Sequence, residues 1–182
     1  MSLESLLAQR KKNIVGKWFD LVVETYPGDT LKFLKSQKDP FANPVGNTTI
    51  RGLRALFDEL LSEMNYETVT TFLDPIIRIR AVQDFSPSQA TGFVLSLKKI
   101  IRENIENEIY ENQMINNLLQ FESKIDELSL IAFNIYMKCR EKIFQLQANE
   151  AGKRTFSAFK RAGLIAEIPE DEPDLNNLTP KT

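Results

Sequence analysis

The sequence predicts an all-α fold, a helical bundle of about six to eight helices, and three observations predict it. Apolar residues recur at steps of three and four along most of the chain, which puts them on one face of a helix. Between Gly92 and Gly152 there is neither glycine nor proline, leaving room for two long helices. Ser86-Pro87-Ser88-Gln89 is a helix start: the Ser86 hydroxyl can accept from the amide three residues on, Gln89 can reach back, and Pro87 stands where no N–H is needed.

Taken in order, Leu3, Leu7, Ile14, Val15, Trp18, Phe19 and Val22 form the stripe of a first helix that ends at Pro27-Gly28. Trp18 lies on that stripe and is expected as a core or dimer-interface anchor. A short second helix, capped by Asp29 or Thr30, carries Leu31, Phe33 and Leu34. Ser36 to Gly46, with Asp39-Pro40 and Asn43-Pro44, reads as an ordered loop presenting Phe41. Asn47 or Thr48 caps a third helix through Ile50, Leu53, Leu56, Phe57, Leu60, Leu61 and Met64. Val69 to Ile77 keep helical spacing, but Pro75 favours a fresh start there with Asp74 as cap.

After Ser86, Ala90, Phe93, Val94, Leu97, Ile100 and Ile101 give a long amphipathic helix, and a break is expected across Glu111 to Asn117. A second arm follows on Ile125, Leu128, Ala132, Ile135, Cys139, Ile143 and Leu146. Cys139 on this stripe reads as a buried, inert thiol. Domain organisation is read as a helical domain over 1–150, a basic helical extension over 151–165 around Phe156 and Phe159, and an acidic disordered tail over 166–182.

Composition excludes more than it assigns. The 182 residues suit one domain with a core that requires no staples. With 23 basic and 25 acidic residues the net charge is −2, which implies neither nucleic acid nor an anionic membrane as partner. The single cysteine fits a reducing compartment, no apolar run reaches the roughly 20 residues of a membrane span, and no signal peptide is legible, so a cytoplasmic location is expected. The absence of histidine removes imidazole acid–base chemistry, His-ligated metals and the proximal ligand of globin haem. No phosphate-binding glycine loop, zinc motif or nucleophile elbow is present, so no enzyme, metal or cofactor is expected. Carboxylate pairs such as Glu103 with Glu106 lack the Glu-x-x-His that a di-metal bundle uses. Arg80 and Asp84, four apart, read as a surface ion pair contributing ~0.3–0.5 kcal/mol; alternatively Arg78 and Arg80 close a buried polar network or meet an acidic partner.

Three segments carry a resemblance: Asp39-Pro-Phe-Ala-Asn-Pro-Val-Gly46, Ile77-Arg-Ile-Arg-Ala-Val-Gln-Asp-Phe-Ser-Pro-Ser-Gln-Ala90 and Tyr136-Met-Lys-Cys-Arg-Glu-Lys-Ile143. Over about residues 3 to 150 the chain resembles the RsbRD amino-terminal domain family, named for the RsbT co-antagonists of the stressosome. The resemblance implies a non-enzymatic regulatory or sensor domain, related to the globin-like, non-haem domains of stress-response signalling proteins and acting by protein–protein interaction. It also implies a homodimer and a signalling or enzyme partner protein. Within the segments Phe41, Asn43, Arg78, Arg80, Gln83, Asp84 and Ser86 are the candidate interaction residues, with Trp18 the candidate dimer residue. Two other readings stand beside this one: a carrier of a small apolar ligand, and an accessory subunit of a metabolic or redox complex.

Overall fold

The computed structural model describes residues 2–37, 39–83, 85–111 and 114–164, the side chains of residues 110 and 111 excepted. The described residues form seven helices and no strand: α1 (Leu3–Val23), α2 (Gly28–Ser36), α3 (Pro44–Leu61), α4 (Tyr66–Val82), α5 (Pro87–Thr91), α6 (Phe93–Glu111) and α7 (Ile115–Arg161). The chain divides into two units, Met1–Ile143 and Phe144–Thr182.

In the first unit α1 is central. It packs against α3 and α6, α3 lies along α4, and α5 links α4 to α6. The stripes legible in the sequence meet in one core, in which Leu7, Ile14, Trp18, Leu53, Phe57, Leu73, Ile77, Leu97, Ile101, Ile125 and Leu128 are all buried. Gly52 permits the close approach of α3 to α4: a Cβ there would stand 2.9 Å from the Phe72 carbonyl oxygen and 2.7 Å from Ile76 Cδ1. Polar ties cross the same contacts. Lys124 on α7 donates to the Leu60 and Ser62 carbonyls at the end of α3 (3.2 and 2.6 Å). Arg102 on α6 donates twice to the buried Glu122 carboxylate, each at 2.6 Å. At Ile105 the backbone leaves helical geometry (φ −129°, ψ 19°), and beside this kink the Asn104 carbonyl accepts from Arg10 of α1.

Four boundaries differ from the sequence expectations, each for a local reason. No side chain caps α2, which starts at Gly28 behind Pro27 rather than under Asp29 or Thr30. Asn43, not Asn47 or Thr48, caps α3: its Oδ1 accepts from the Gly46 amide at 2.8 Å and Pro44 occupies the first helical position. α4 runs unbroken from its Asn65 cap through Pro75. An interior proline costs about 3 kcal/mol. Val69 and Leu73 before it and Ile76 and Ile77 after it all face the core, and each such burial contributes about 1.5–3 kcal/mol, so the shared stripe wins. Asp74 does not cap anything there; its carboxylate takes a bidentate contact from Arg78. Finally, the capping box at Ser86 opens the short α5, and α6 begins one residue past Gly92.

In the second unit, residues 144–161 are helical and exposed, with Gly152 inside the helix, so this stretch of the basic segment continues α7. The helix closes on Gly163 at φ 66°, the left-handed conformation that glycine tolerates; the Leu164 amide donates to the Phe159 carbonyl (3.0 Å) and the Gly163 amide to that of Lys160 (3.2 Å), the pairing of a Schellman motif. The expected acidic tail over 166–182 lies outside the described residues.

Candidate functional site

Arg78 and Arg80 stand two positions apart on α4, which on a helix means about 200° around the axis. The structure accordingly separates them. Arg78 is exposed and pairs with Asp74 (2.8 and 3.0 Å), which holds its guanidinium pKa above the usual value. Arg80 is turned inward and is 1% exposed. Of the two expected roles, surface pair and buried network, the surface pair with Asp84 is therefore not what Arg80 makes; Asp84 itself lies outside the described residues.

The setting of Arg80 is unusual for a cation. Its Nη2 donates to Thr25 Oγ1 (2.9 Å) and to the Gln89 carbonyl (2.7 Å). Nε and Nη1 are buried without a hydrogen-bond partner. No carboxylate among the described residues pairs with it. Instead three aromatic rings surround the guanidinium: Phe85 at 4.4 Å from its carbon, Tyr26 at 5.5 Å and Phe93 at 5.6 Å. Ring faces carry negative potential, so this box offsets part of the lost hydration, each contact contributing about 0.5–2 kcal/mol. The offset is incomplete, because burial still lowers the Arg80 pKa from its ordinary value, with the neighbouring Tyr26 opposing. Burial likewise raises the Tyr26 hydroxyl, against the pull of Arg80.

The box is assembled from four parts of the chain. Tyr26 follows α1 and meets Phe85 edge-on at 5.2 Å between ring centres. Phe85 sits between α4 and α5, where its carbonyl accepts from the Tyr136 hydroxyl of α7 at 2.7 Å. The Ser86 capping box, with Gln89 N–H to Ser86 Oγ at 3.3 Å and Ser86 N–H to Gln89 Oε1 at 3.0 Å, fixes the turn that brings the Gln89 carbonyl to Arg80. Phe93 opens α6, and its carbonyl accepts from Trp18 Nε1 at 2.8 Å. In front of the box lies a cavity of about 420 Å³ lined by Thr25, Tyr26, Pro27, Thr30, Gln83, Phe85 and Gln89.

Of the expected site residues, Arg80, Gln83 and Ser86 thus belong to this one region. Asn43 is remote from it in role: buried, it caps α3 and donates to the Leu34 and Gln37 carbonyls at 3.1 and 3.0 Å, tying the end of α2 to the start of α3. Phe41 is 95% exposed on the loop between them, its amide bonded to Asp39 Oδ1 at 3.0 Å. Trp18, expected as a core or dimer anchor, is fully buried inside one chain and offers a partner no surface. Sequence reasoning missed Thr25, Tyr26, Phe85, Phe93 and Tyr136; the aromatic count of 9% gives no hint that three rings converge on one arginine.

Arg78 lines a different cavity, of about 340 Å³, with Asp74, Lys138, Lys142 and Cys139. Cys139 is half-buried, and burial pushes its thiol up in pKa against the pull of Arg78. A third face is largely apolar. On α7, Ile115, Leu119, Leu130, Phe133 and Met137 fall within about 60° of one another at 3.6 residues per turn, turned away from the buried side; they are 49%, 55%, 66%, 44% and 37% exposed, and Asp126, paired with Lys98, falls on the same arc between Leu119 and Leu130. Among the described residues there is no group of three or more His, Cys, Asp or Glu that could hold a metal ion, and no helix long and apolar enough to cross a membrane.

An uncharacterized protein of Archaeoglobus fulgidus is 26% identical over 145 residues, which covers 77% of this chain and 83% of that protein. No solved structure matches. The model of one family, the RsbT co-antagonist protein rsbRD N-terminal domain, matches residues 12–151, the span that holds α2 to α6, the arginine box and most of α1 and α7; the chain belongs to that family.

Proposed function

We propose that this chain is a non-enzymatic regulatory domain of cytoplasmic signalling that works by protein–protein contact, as a homodimer docked on a signalling partner. Family membership supports the signalling role. The observation that carries the contact is the apolar face of α7: Ile115 with Leu119, and Leu130 with Phe133 and Met137, exposed on either side of the ion-paired Asp126, on a helix whose other side is already committed to the core. Aligned apolar surface of this kind marks association sites, and a helix laid against its own copy buries the same patch twice. On this reading the bundle is a non-haem relative of globin-like sensor domains, the chain having no histidine to hold iron. The partner-facing cation is Arg78, beside Lys138 and Lys142, and the exposed Phe41 is the second recognition point.

Light scattering during gel filtration tests this. Wild type is expected at twice the chain mass at micromolar concentration, and Phe133→Glu with Met137→Glu at the chain mass with an unchanged circular dichroism spectrum. A wild-type monomer, or a dimer indifferent to both charges, refutes the α7 interface. Capture of partners from the native cell, with Arg78→Ala as the control that should weaken it, tests the docking role.

A further inference from the structure

Arg80 leaves a chemical need unmet. A guanidinium carries five N–H donors, and here only Nη2 is engaged while Nε and Nη1 are buried and unpartnered. No carboxylate among the described residues neutralises it, and aromatic faces replace water on its flanks. A buried cation without a counter-charge is costly to keep; the Tyr26 hydroxyl beside it gives partial relief, and an anion would give more. Arg80 itself does not line the adjoining cavity, but groups packed directly against it do. Both acceptors of Nη2, Thr25 and Gln89, line it, and so do two of the three rings that lie against the guanidinium, Tyr26 and Phe85.

A second feature points the same way. Pro27 and Thr30, at the start of the nine-residue α2, also line the cavity, and α2 has no side-chain cap. Its first-turn amides are therefore open to an acceptor, and the positive end of the helix dipole favours an anion there. Asp29, the acidic residue of that turn, is not among the lining residues. The rest of the wall, Pro27 with the rings of Tyr26 and Phe85, is apolar, and Gln83 and Thr30 add neutral polar groups. About 420 Å³ is within the range of small-molecule sites.

We infer that this cavity is a binding site for a small carboxylic acid with a flat apolar body, its carboxylate meeting Arg80 and its body lying between Tyr26 and Phe85. Arg80 is 1% exposed, so a ligand reaches it only if a wall gives way, and that role is assigned to the ring of the half-buried Phe85, which lines the cavity and lies against the guanidinium. The Phe85 carbonyl accepts from the Tyr136 hydroxyl, a contact that a turn of the ring alone would keep. A carboxylate is favoured over a neutral amide because only the anion answers the charge and gains charge-assisted hydrogen bonds. The inference goes beyond the interaction reading above, and it is measured on the chain alone, so either can fail without the other.

The test uses the full chain with sodium benzoate as probe, benzamide as its neutral isostere, and sodium chloride and sodium phosphate at matched ionic strength. Calorimetric titration and the thermal midpoint are read together. Benzoate is expected to bind saturably and raise the midpoint, with benzamide weaker by roughly tenfold to a hundredfold, the value of hydrogen bonds to a charged group. Arg80→Met should lose that preference for benzoate. Thr30→Trp, at an exposed position that lines the cavity, should lose benzoate binding while Arg80 stays in place, and it decides the matter if Arg80→Met fails to fold. Equal binding of benzoate and benzamide, binding undiminished in Thr30→Trp, no saturable benzoate binding, or protection by phosphate with none by benzoate each overturns the assignment.

Discussion

Position 80 allows charge and packing to be separated. Arg80→Ala and Arg80→Met both remove the guanidinium, so the charge, its two hydrogen bonds and its three ring contacts cancel in the difference between them. What remains is the stem. Methionine keeps a chain of similar reach through a fully buried site, whereas alanine leaves a cavity, and buried Met→Ala changes cost about 2–5 kcal/mol. The alanine variant should therefore be less stable than the methionine variant by about that amount. Methionine against wild type then reports the charge. Exchanging buried ionic groups for apolar ones of similar volume is often neutral or stabilising, and Arg80 has unpartnered Nε and Nη1, so Arg80→Met should lie within about 1 kcal/mol of wild type or above it. Arg78→Ala is the surface control: its pair with Asp74 is 64% exposed on the arginine side, and such i,i+4 pairs contribute about 0.3–0.5 kcal/mol. Urea unfolding followed by circular dichroism gives all four free energies. If Arg80→Met falls well below wild type, by more than about 1 kcal/mol, the cation is itself a net stabiliser and the reasoning about an unmet charge is wrong; if it merely equals Arg80→Ala, the packing of the stem contributes nothing.

Three further outcomes are expected. Pro75→Ala should stabilise the chain by about 2 kcal/mol, since alanine restores an interior amide worth about 3 kcal/mol and gives back up to about 1 kcal/mol of unfolded-state entropy; a loss in urea midpoint would show that the packing of α4 requires the proline. Asn43→Ala should cost about 2–3 kcal/mol, a cap plus two buried carbonyl contacts, and Gly46→Ala, whose Cβ would collide with the Asn43 side chain, should add little on top of it in a double-mutant cycle. Cys139 should alkylate with iodoacetamide more slowly than free cysteine at pH 7, the rate rising only as pH approaches a thiol pKa raised by burial; a rate above that of free cysteine at pH 7 contradicts it.

Helix faces were legible wherever one side of an element is buried. The stripes of Leu53 to Leu60 and of Ile125 to Ile135 translate directly into core positions because a period near 3.6 has no other use on those segments. The capping box at Ser86 was equally plain, being entirely local chemistry. Boundaries failed where a local signal met a tertiary one. Asp74-Pro75 is a good helix start in isolation, yet four buried side chains spanning it keep α4 continuous. Asn43-Pro44 also reads as a loop, which hides Asn43 as a cap, and the carbonyls of Leu34 and Gln37 that make it decisive come from the end of α2 and the residue that follows it.

The site was legible as a segment and illegible as chemistry. Ile77 to Ala90 was marked out by its motif, and the alternation Arg78-Ile79-Arg80 suggests a pair acting together; helical geometry turns the two guanidiniums to opposite sides, one to Asp74 and water, the other into the core. Nothing local foretells that Tyr26, Phe85 and Phe93, which lie before, after and beyond α4, close around the second. The consequence is a division of labour within one motif. Ser86 and Gln89 set the backbone that reaches Arg80, whereas Arg78 stays free of that structure and available to a surface contact. A change at Ser86 should therefore disturb the arginine box through the Gln89 carbonyl, whereas a change at Arg78 should leave it intact. Tyr26 reports the difference: Ser86→Ala is expected to shift the Tyr26 ring resonances, and Arg78→Ala to leave them where they are. Equal shifts in both would mean that the two arginines are coupled through α4 after all.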